Sequence, residues 1–240
     1  MQTTIMDYIN VNNKKQDGGK PPPKKKIKIV KTKKQVAPKK TMKQRVIKSA
    51  VKNMKGPKDS RKLVHVFTDG SCYNNSRKSK TSAGGIGVFW GDGDYRNLTE
   101  PFYVKPITNN RAEIFAVIKA IEIFSISYDQ KCSKQTLQIN SDSQYLINTM
   151  TKWYKNWKRR GWKKADGKEP LNLDLLCHLD NLIEKHKNCF NIVYNHVRAH
   201  KSEPKNKSSI KYFEWYGNNQ ADLLANQGSK KYLSKGYCSK

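Results

Sequence analysis

The sequence predicts an α/β protein, a five-stranded mixed sheet flanked by helices. Three observations lead there: short apolar runs that stop at turn residues, longer stretches with apolar residues three or four apart, and their order along the chain. Three strands come first, and helices then alternate with two more strands.

The first strand is "LVHVFTDGS", which alternates and breaks at Asp69-Gly70. "AGGIGVFWG" (83–91) is a second strand, stopped by "GDGD", and "RNLTEPFYV" (96–104) returns as a third. "TNNRAEIFAVIKAIEIFS" (108–125) reads as a helix with Thr108 or Asn109 at its cap. "TLQINSDS" (136–143) is a fourth strand, and "SQYLINTMTKWYKNW" a helix after it. "LNLDLLCHLDNLIEKH" is amphipathic, "FNIVYNHV" is a fifth strand, and "GNNQADLLANQGSKK" closes the domain as a helix.

Ahead of these elements the texture differs. Residues 1–60 hold 18 basic and 3 acidic side chains, and Tyr8 is their only aromatic. Such a segment buries too little apolar surface to offset the entropy of ordering. It reads as a disordered, Lys-rich tail, with a folded domain over 61–232 and a short tail over 233–240. The chain as a whole carries a formal charge of +29, a field that attracts polyanions, nucleic acid first among them. Five scattered cysteines without a CxxC pair point to a reducing compartment and away from a zinc site. No apolar run is long enough to span a membrane, and the N-terminus resembles no secretory signal. The expectation is an intracellular, soluble, monomeric protein of nuclear, cytoplasmic or viral setting, with no membrane and no protein partner.

Acidic residues are scarce in this chain, so their positions carry information. Asp69 and Asp142 each end an apolar strand, where an aspartate has turn chemistry as its ordinary use. Glu113 stands among apolar residues: between Ala112 and Phe124 the only other polar residues are Lys119 and Glu122. On a helical wheel those two lie about 180° to 240° from Glu113, so the carboxylate faces the protein. Asp222 is expected in the first turn of the last helix. Two strand ends and two helix starts can meet at one sheet edge. Carboxylates gathered there repel one another unless cations lie between them, and all-oxygen ligation suits Mg²⁺ or Mn²⁺. Spacing alone thus suggests a metal-dependent nuclease.

The ordered set "FTDGSC", "TNNRAEIFAVIKAIE", "INSDSQYLI", "WYKNWKRRGWKK", "HVRAHKS" and "GNNQADLLA" resembles ribonuclease H of type 1 over roughly Leu63 to Lys231. The resemblance implies a ribonuclease H-like fold and hydrolysis of the RNA strand of RNA–DNA hybrids by two Mg²⁺ ions, with Mn²⁺ as a substitute. It implies 5′-phosphate and 3′-hydroxyl ends. It sets the metal ligands on Asp69, Glu113, Asp142 and Asp222, and a loop histidine on His200, a group that titrates near neutral pH. "WYKNWKRRGWKK" looks like the basic protrusion that holds the DNA strand, its lysines and arginines meeting phosphates. Trp153 and Tyr145 match positions that pack against deoxyriboses, whereas Trp157 and Trp162 read as the protrusion's own scaffold. Asn75, Asn109 and Asn110 match positions near the RNA strand, where an amide can answer both halves of a 2′-hydroxyl. Asn172 resembles a residue of a DNA-phosphate pocket. The stretch between His200 and Asp222 is longer than in short-loop relatives. The rival readings are another nuclease of the same superfamily, which usually keeps three acidic residues and lacks the protrusion, and a non-catalytic hybrid-binding module.

Overall fold

The computed structural model describes residues 63–74, 82–127, 134–199 and 202–234. The basic tail, Asn75, His200 and residues 235–240 lie outside them. Strands β1 (Leu63–Tyr73), β2 (Ala83–Phe89) and β3 (Leu98–Phe102) form an antiparallel meander. Strands β4 (Thr136–Ser141) and β5 (Asn191–His196) add in parallel, giving a five-stranded sheet in the order β3-β2-β1-β4-β5. The mixed, five-stranded expectation holds. β3 is shorter than the sequence suggests, and its Pro101 sits on an edge strand, where a missing amide donor is tolerated.

Helix α1 (Asn109–Ser127) covers one face of the sheet. Ile114, Ile118, Ile121 and Phe124 are almost fully buried, and the Thr108 carbonyl accepts the first helical bond from the Ala112 amide. Lys119 and Glu122 pair at 3.0 Å on the wetter side, so the wheel argument for an inward Glu113 is correct. The opposite face belongs to the last helix, α5 (Ile210–Ser234). Small residues on β2 let α5 approach closely: a Cβ on Gly85 would lie 2.1 Å from the Ser229 nitrogen, and one on Gly87 2.1 Å from the Ala221 oxygen.

Strand β1 does not break at Asp69-Gly70 but runs on to Tyr73, with Asp69 opposite Gly87 and Gly70 opposite Ile86 on β2. Two later elements also depart from the sequence reading. Helix α5 begins seven residues before Gly217, so Asp222 lies near the midpoint of a 25-residue helix and not in its first turn. The cause is aromatic: Tyr212, Phe213 and Tyr216 recur on one helix face and bury themselves with Phe67, Phe89 and Val197. Gly217 looks like a helix breaker but is a packing residue, since a Cβ there would meet the Phe67 ring at 2.3 Å. Much of the long stretch before Asp222 is therefore helix.

The second departure lies after β4, where the sequence predicts one helix. The structure has α2 (Gln144–Asn148), a π-helical turn (Thr149–Trp153) and α3 (Tyr154–Arg159). Helix α4 (Leu173–His186) then returns along α1, fastened by the buried Arg111, whose guanidinium donates to both Asp174 oxygens at 2.7 and 2.5 Å. Among the described residues no helix is long and apolar enough to cross a membrane.

Candidate active site

Asp69, Glu113, Asp142 and Asp222 line one cavity of about 370 Å³, joined there by Asn109, Asn110 and Tyr145. Asp69 comes from the middle of β1, Asp142 from just past the end of β4, Glu113 from the first turns of α1 and Asp222 from mid-α5. The close approaches at Gly70 and Gly87 explain how two helices on opposite faces deliver carboxylates to one spot. A Cβ on Gly70 would fall 2.2 Å from the Glu113 nitrogen.

The electrostatics are those of crowded anions. Burial pushes the Asp69 carboxyl well above its ordinary range, and Asp142, Asp222 and Glu113 push it further, against a pull downward from the Gly70 amide. Burial likewise raises Glu113 to about 7, with Asp142 adding to the rise, while hydrogen bonds from Ser143 and Asn109 oppose it. The whole chain is strongly positive, yet this cavity concentrates negative charge. Such a donor set, four carboxylates with no thiol or imidazole among the described residues that line the cavity, fits hard divalent cations that keep part of their water. It is not a closed cage: among the described residues, no three His, Cys, Asp or Glu side chains stand together as a ready metal-holding group.

Three residues that sequence reasoning missed hold these carboxylates. The Ser143 hydroxyl donates to Glu113 Oε2 and accepts the Leu146 amide at 3.2 Å, capping α2 with the same oxygen. Asn218 Nδ2 donates to Asp142 Oδ2 at 2.9 Å, and Asn226 Nδ2 to Asp222 Oδ1 at 3.0 Å. The signals were present: a serine before a helical run is an N-cap, and Asn226 comes after Asp222 at the four-residue helical spacing. Asn109 Nδ2 reaches Glu113 Oε1 at 3.3 Å by that spacing as well. His196, a strand-end residue, sets Nε2 3.3 Å from the Asp142 main-chain oxygen.

The residues matched to the DNA strand form a second group beside the first. Tyr145, Trp153, Trp157, Lys164 and Leu171 line an apolar cavity of about 360 Å³, so Tyr145 borders both cavities. Trp153 is 39% exposed. Asn172 adopts a left-handed conformation that asparagine tolerates, leaves α4 uncapped by its side chain, and donates to the Tyr145 hydroxyl at 3.1 Å. Trp157 and Trp162 are half-buried, packed against Trp153 and Tyr154 respectively. Not every cation of the basic stretch faces outward for a phosphate: Lys158 binds Asp180 and Glu184, and Lys164 binds Asp166. Lys152, Lys155, Arg159, Arg160 and Lys163 are exposed.

A family model described as RNase H matches residues 61–230. The ribonuclease H of Thiobacillus denitrificans is 35% identical over 169 residues, covering 69% of this chain and 93% of the relative. That of Bordetella pertussis is 34% identical over 178 residues, covering 74% and 96%. The ribonuclease H of Schizosaccharomyces pombe is 34% identical over 166 residues, which is 69% of this chain and 53% of that protein. In fold, the chain is similar to the solution structure of the PFV RNase H domain, with a TM-score of 0.50 at 22% identity over 70% of this chain and 94% of that one.

Proposed function

The chain belongs to the ribonuclease H family, as a type 1 enzyme that hydrolyses RNA in RNA–DNA hybrids, and from that premise we propose that Asp69, Glu113, Asp142 and Asp222 form its catalytic centre. The observation that carries the assignment is the mutual repulsion of these carboxylates in one cavity, which only bound cations or protons relieve. Two Mg²⁺ ions, or Mn²⁺ in their place, would supply Lewis acidity for a water nucleophile and for the departing RNA oxygen.

The chain's own residues do the remaining work. The four carboxylates offer oxygen ligands, and Ser143, Asn109, Asn218 and Asn226 fix how those ligands point. Water adds to phosphorus as the P–O3′ bond breaks, leaving a 5′-phosphate on one fragment and a 3′-hydroxyl, once protonated, on the other. His200 comes directly after Ala199, which lines the cavity, and is assigned to proton transfer or product departure.

Substrate choice is assigned to the two sides of Tyr145. Asn109 and Asn110, with Asn75, would meet RNA 2′-hydroxyls near the carboxylates. Tyr145 and Trp153 would pack against deoxyriboses where a 2′-hydroxyl would obstruct approach, with Asn172 and the exposed cations of 152–163 on the DNA phosphates. The test incubates the full chain and its Asp142→Asn variant with an end-labelled hybrid in Mg²⁺ or Mn²⁺, beside single- and double-stranded RNA. Internal cuts in hybrid RNA alone, lost in a folded variant that still binds hybrid, are expected. Cleavage that survives Asp142→Asn would remove Asp142 from the centre.

A further inference from the structure

Helices α2 and α3 would be one continuous helix without the π turn between them. In an unbroken helix Trp153 lies seven residues after Leu146, about two turns, and would share its face. Leu146 is fully buried. A π turn spends one extra residue, rotating the rest of the helix by roughly 100°. Here it is closed by the Tyr154 amide donating to the Thr149 oxygen; Trp153, its last residue, opens onto the apolar cavity, and Tyr154, the next, is buried.

Something must hold that rotation in place. Helix α3 has six residues, too few to be stable alone, and its exposed Lys155 and Arg159, four residues apart, carry like charges. The restraint is polar and buried. The Tyr154 hydroxyl donates to Asp180 Oδ1 on α4, and Lys158 Nζ reaches that same oxygen at 2.8 Å and Glu184 Oε1 at 3.1 Å. Trp162 lies edge-on to the Tyr154 ring, with centroids 6.0 Å apart. An aliphatic side chain would fill this place without a polar group to satisfy, so a phenol fastened to a buried carboxylate needs a reason. Burial and the Asp180 carboxylate both push the phenol upward, so it remains a donor at any physiological pH.

We propose that Tyr154, through Asp180, is a positioning residue for Trp153: it fixes the angle of the protrusion and so the grip on the DNA strand, without touching the substrate. This rests on the assignment of Trp153 to the DNA strand. Because the bond acts only on how the platform is held, it belongs to substrate binding and not to the chemical step.

The experiment uses the full chain with Tyr154→Phe, which keeps the ring and drops the bond. KM for a hybrid is expected to rise about fivefold, the cost of one hydrogen bond, with kcat unchanged. In an Asp142→Asn background, hybrid affinity should fall by the same factor and double-stranded RNA affinity should not. Asp180→Asn, which keeps an acceptor for the phenol, should stay near wild type, whereas Asp180→Ala, which also frees Lys158, should lose at least as much as Tyr154→Phe, and adding Tyr154→Phe to it should lose nothing further. An unchanged KM in Tyr154→Phe, a fall in kcat alone, or equal losses on hybrid and double-stranded RNA would each overturn the proposal. Trp153→Ala run alongside separates the two ideas. If it weakens hybrid binding while Tyr154→Phe does not, the positioning role fails alone; if it does not, the platform reading fails with it.

Discussion

Gly70 lies against the backbone of Glu113 so tightly that a Cβ on it would fall 2.2 Å from the Glu113 nitrogen and 2.4 Å from the Ala112 carbonyl carbon. That contact sets the distance between β1 and α1, and with it the distance between Asp69 and Glu113. The glycine next to the first carboxylate is thus part of the site's geometry, not merely a turn signal.

Gly70→Ala should therefore cost both stability and metal affinity. The obstruction is backbone, which cannot swing aside, so about 1–3 kcal/mol of overpacking strain is expected. Thermal unfolding and calorimetric titration with Mn²⁺ would measure the two losses. A variant that binds cations like wild type would show that β1 and α1 can separate without moving the carboxylates.

Ser143 holds Glu113 and caps α2 with one oxygen. Ser143→Ala should weaken cation binding about 10–100-fold, the usual cost of losing a residue that orients a ligand. Helix content should fall little, since α2 packs through the buried Leu146 and Ile147. Circular dichroism beside a Mg²⁺ or Mn²⁺ titration separates the two effects.

The raised Glu113 carboxyl makes metal-free stability depend on pH with a definite sign. Its proton is held more tightly in the folded state, from an ordinary 4.5 up to about 7, chiefly because burial disfavours the charge. The contribution is thus fully present below about 4.5 and is lost as pH rises through 7, since the unfolded chain binds fewer protons across that window. Asp69 shifts in the same direction. With chelator present, the unfolding midpoint should fall from pH 5 to pH 8 less steeply in Glu113→Gln than in wild type. Identical slopes would mean that Glu113 does not titrate as its burial implies.

Trp153 is exposed on the apolar cavity that also includes Tyr145. Trp153→Ala should weaken hybrid binding about tenfold, in the range of lost aromatic contacts to nucleic acid, and double-stranded RNA binding much less. Fluorescence anisotropy with both duplexes at one fixed salt concentration gives the ratio.

Much of the site is legible in the sequence because its residues break local expectation. Glu113 is a carboxylate on an apolar helix face, Asp142 follows a buried strand, and Asp69 sits in an apolar run beside a glycine, in a chain poor in acids. Asp222 stands out in the same way, but its place within the helix does not. The aromatic residues ahead of it look like loop until Phe67 and Phe89 are there to bury them. The holding residues are less legible. Asn218 reaches Asp142 from a different element, 76 positions away, a relation no local pattern encodes.

The amino-acid sequence by itself determined the order of strands and helices, the inward face of α1 and the positions of the four carboxylates, because periodicity and residue chemistry act over a few neighbours. Tertiary structure alone decided the approach of α1 and α5 to the sheet at Gly70 and Gly87, the π turn that aims Trp153, and the capture of Lys158 by Asp180. Each of those depends on packing and hydrogen bonding between segments far apart in the chain, where the free energy of a contact exists only once both partners are in place.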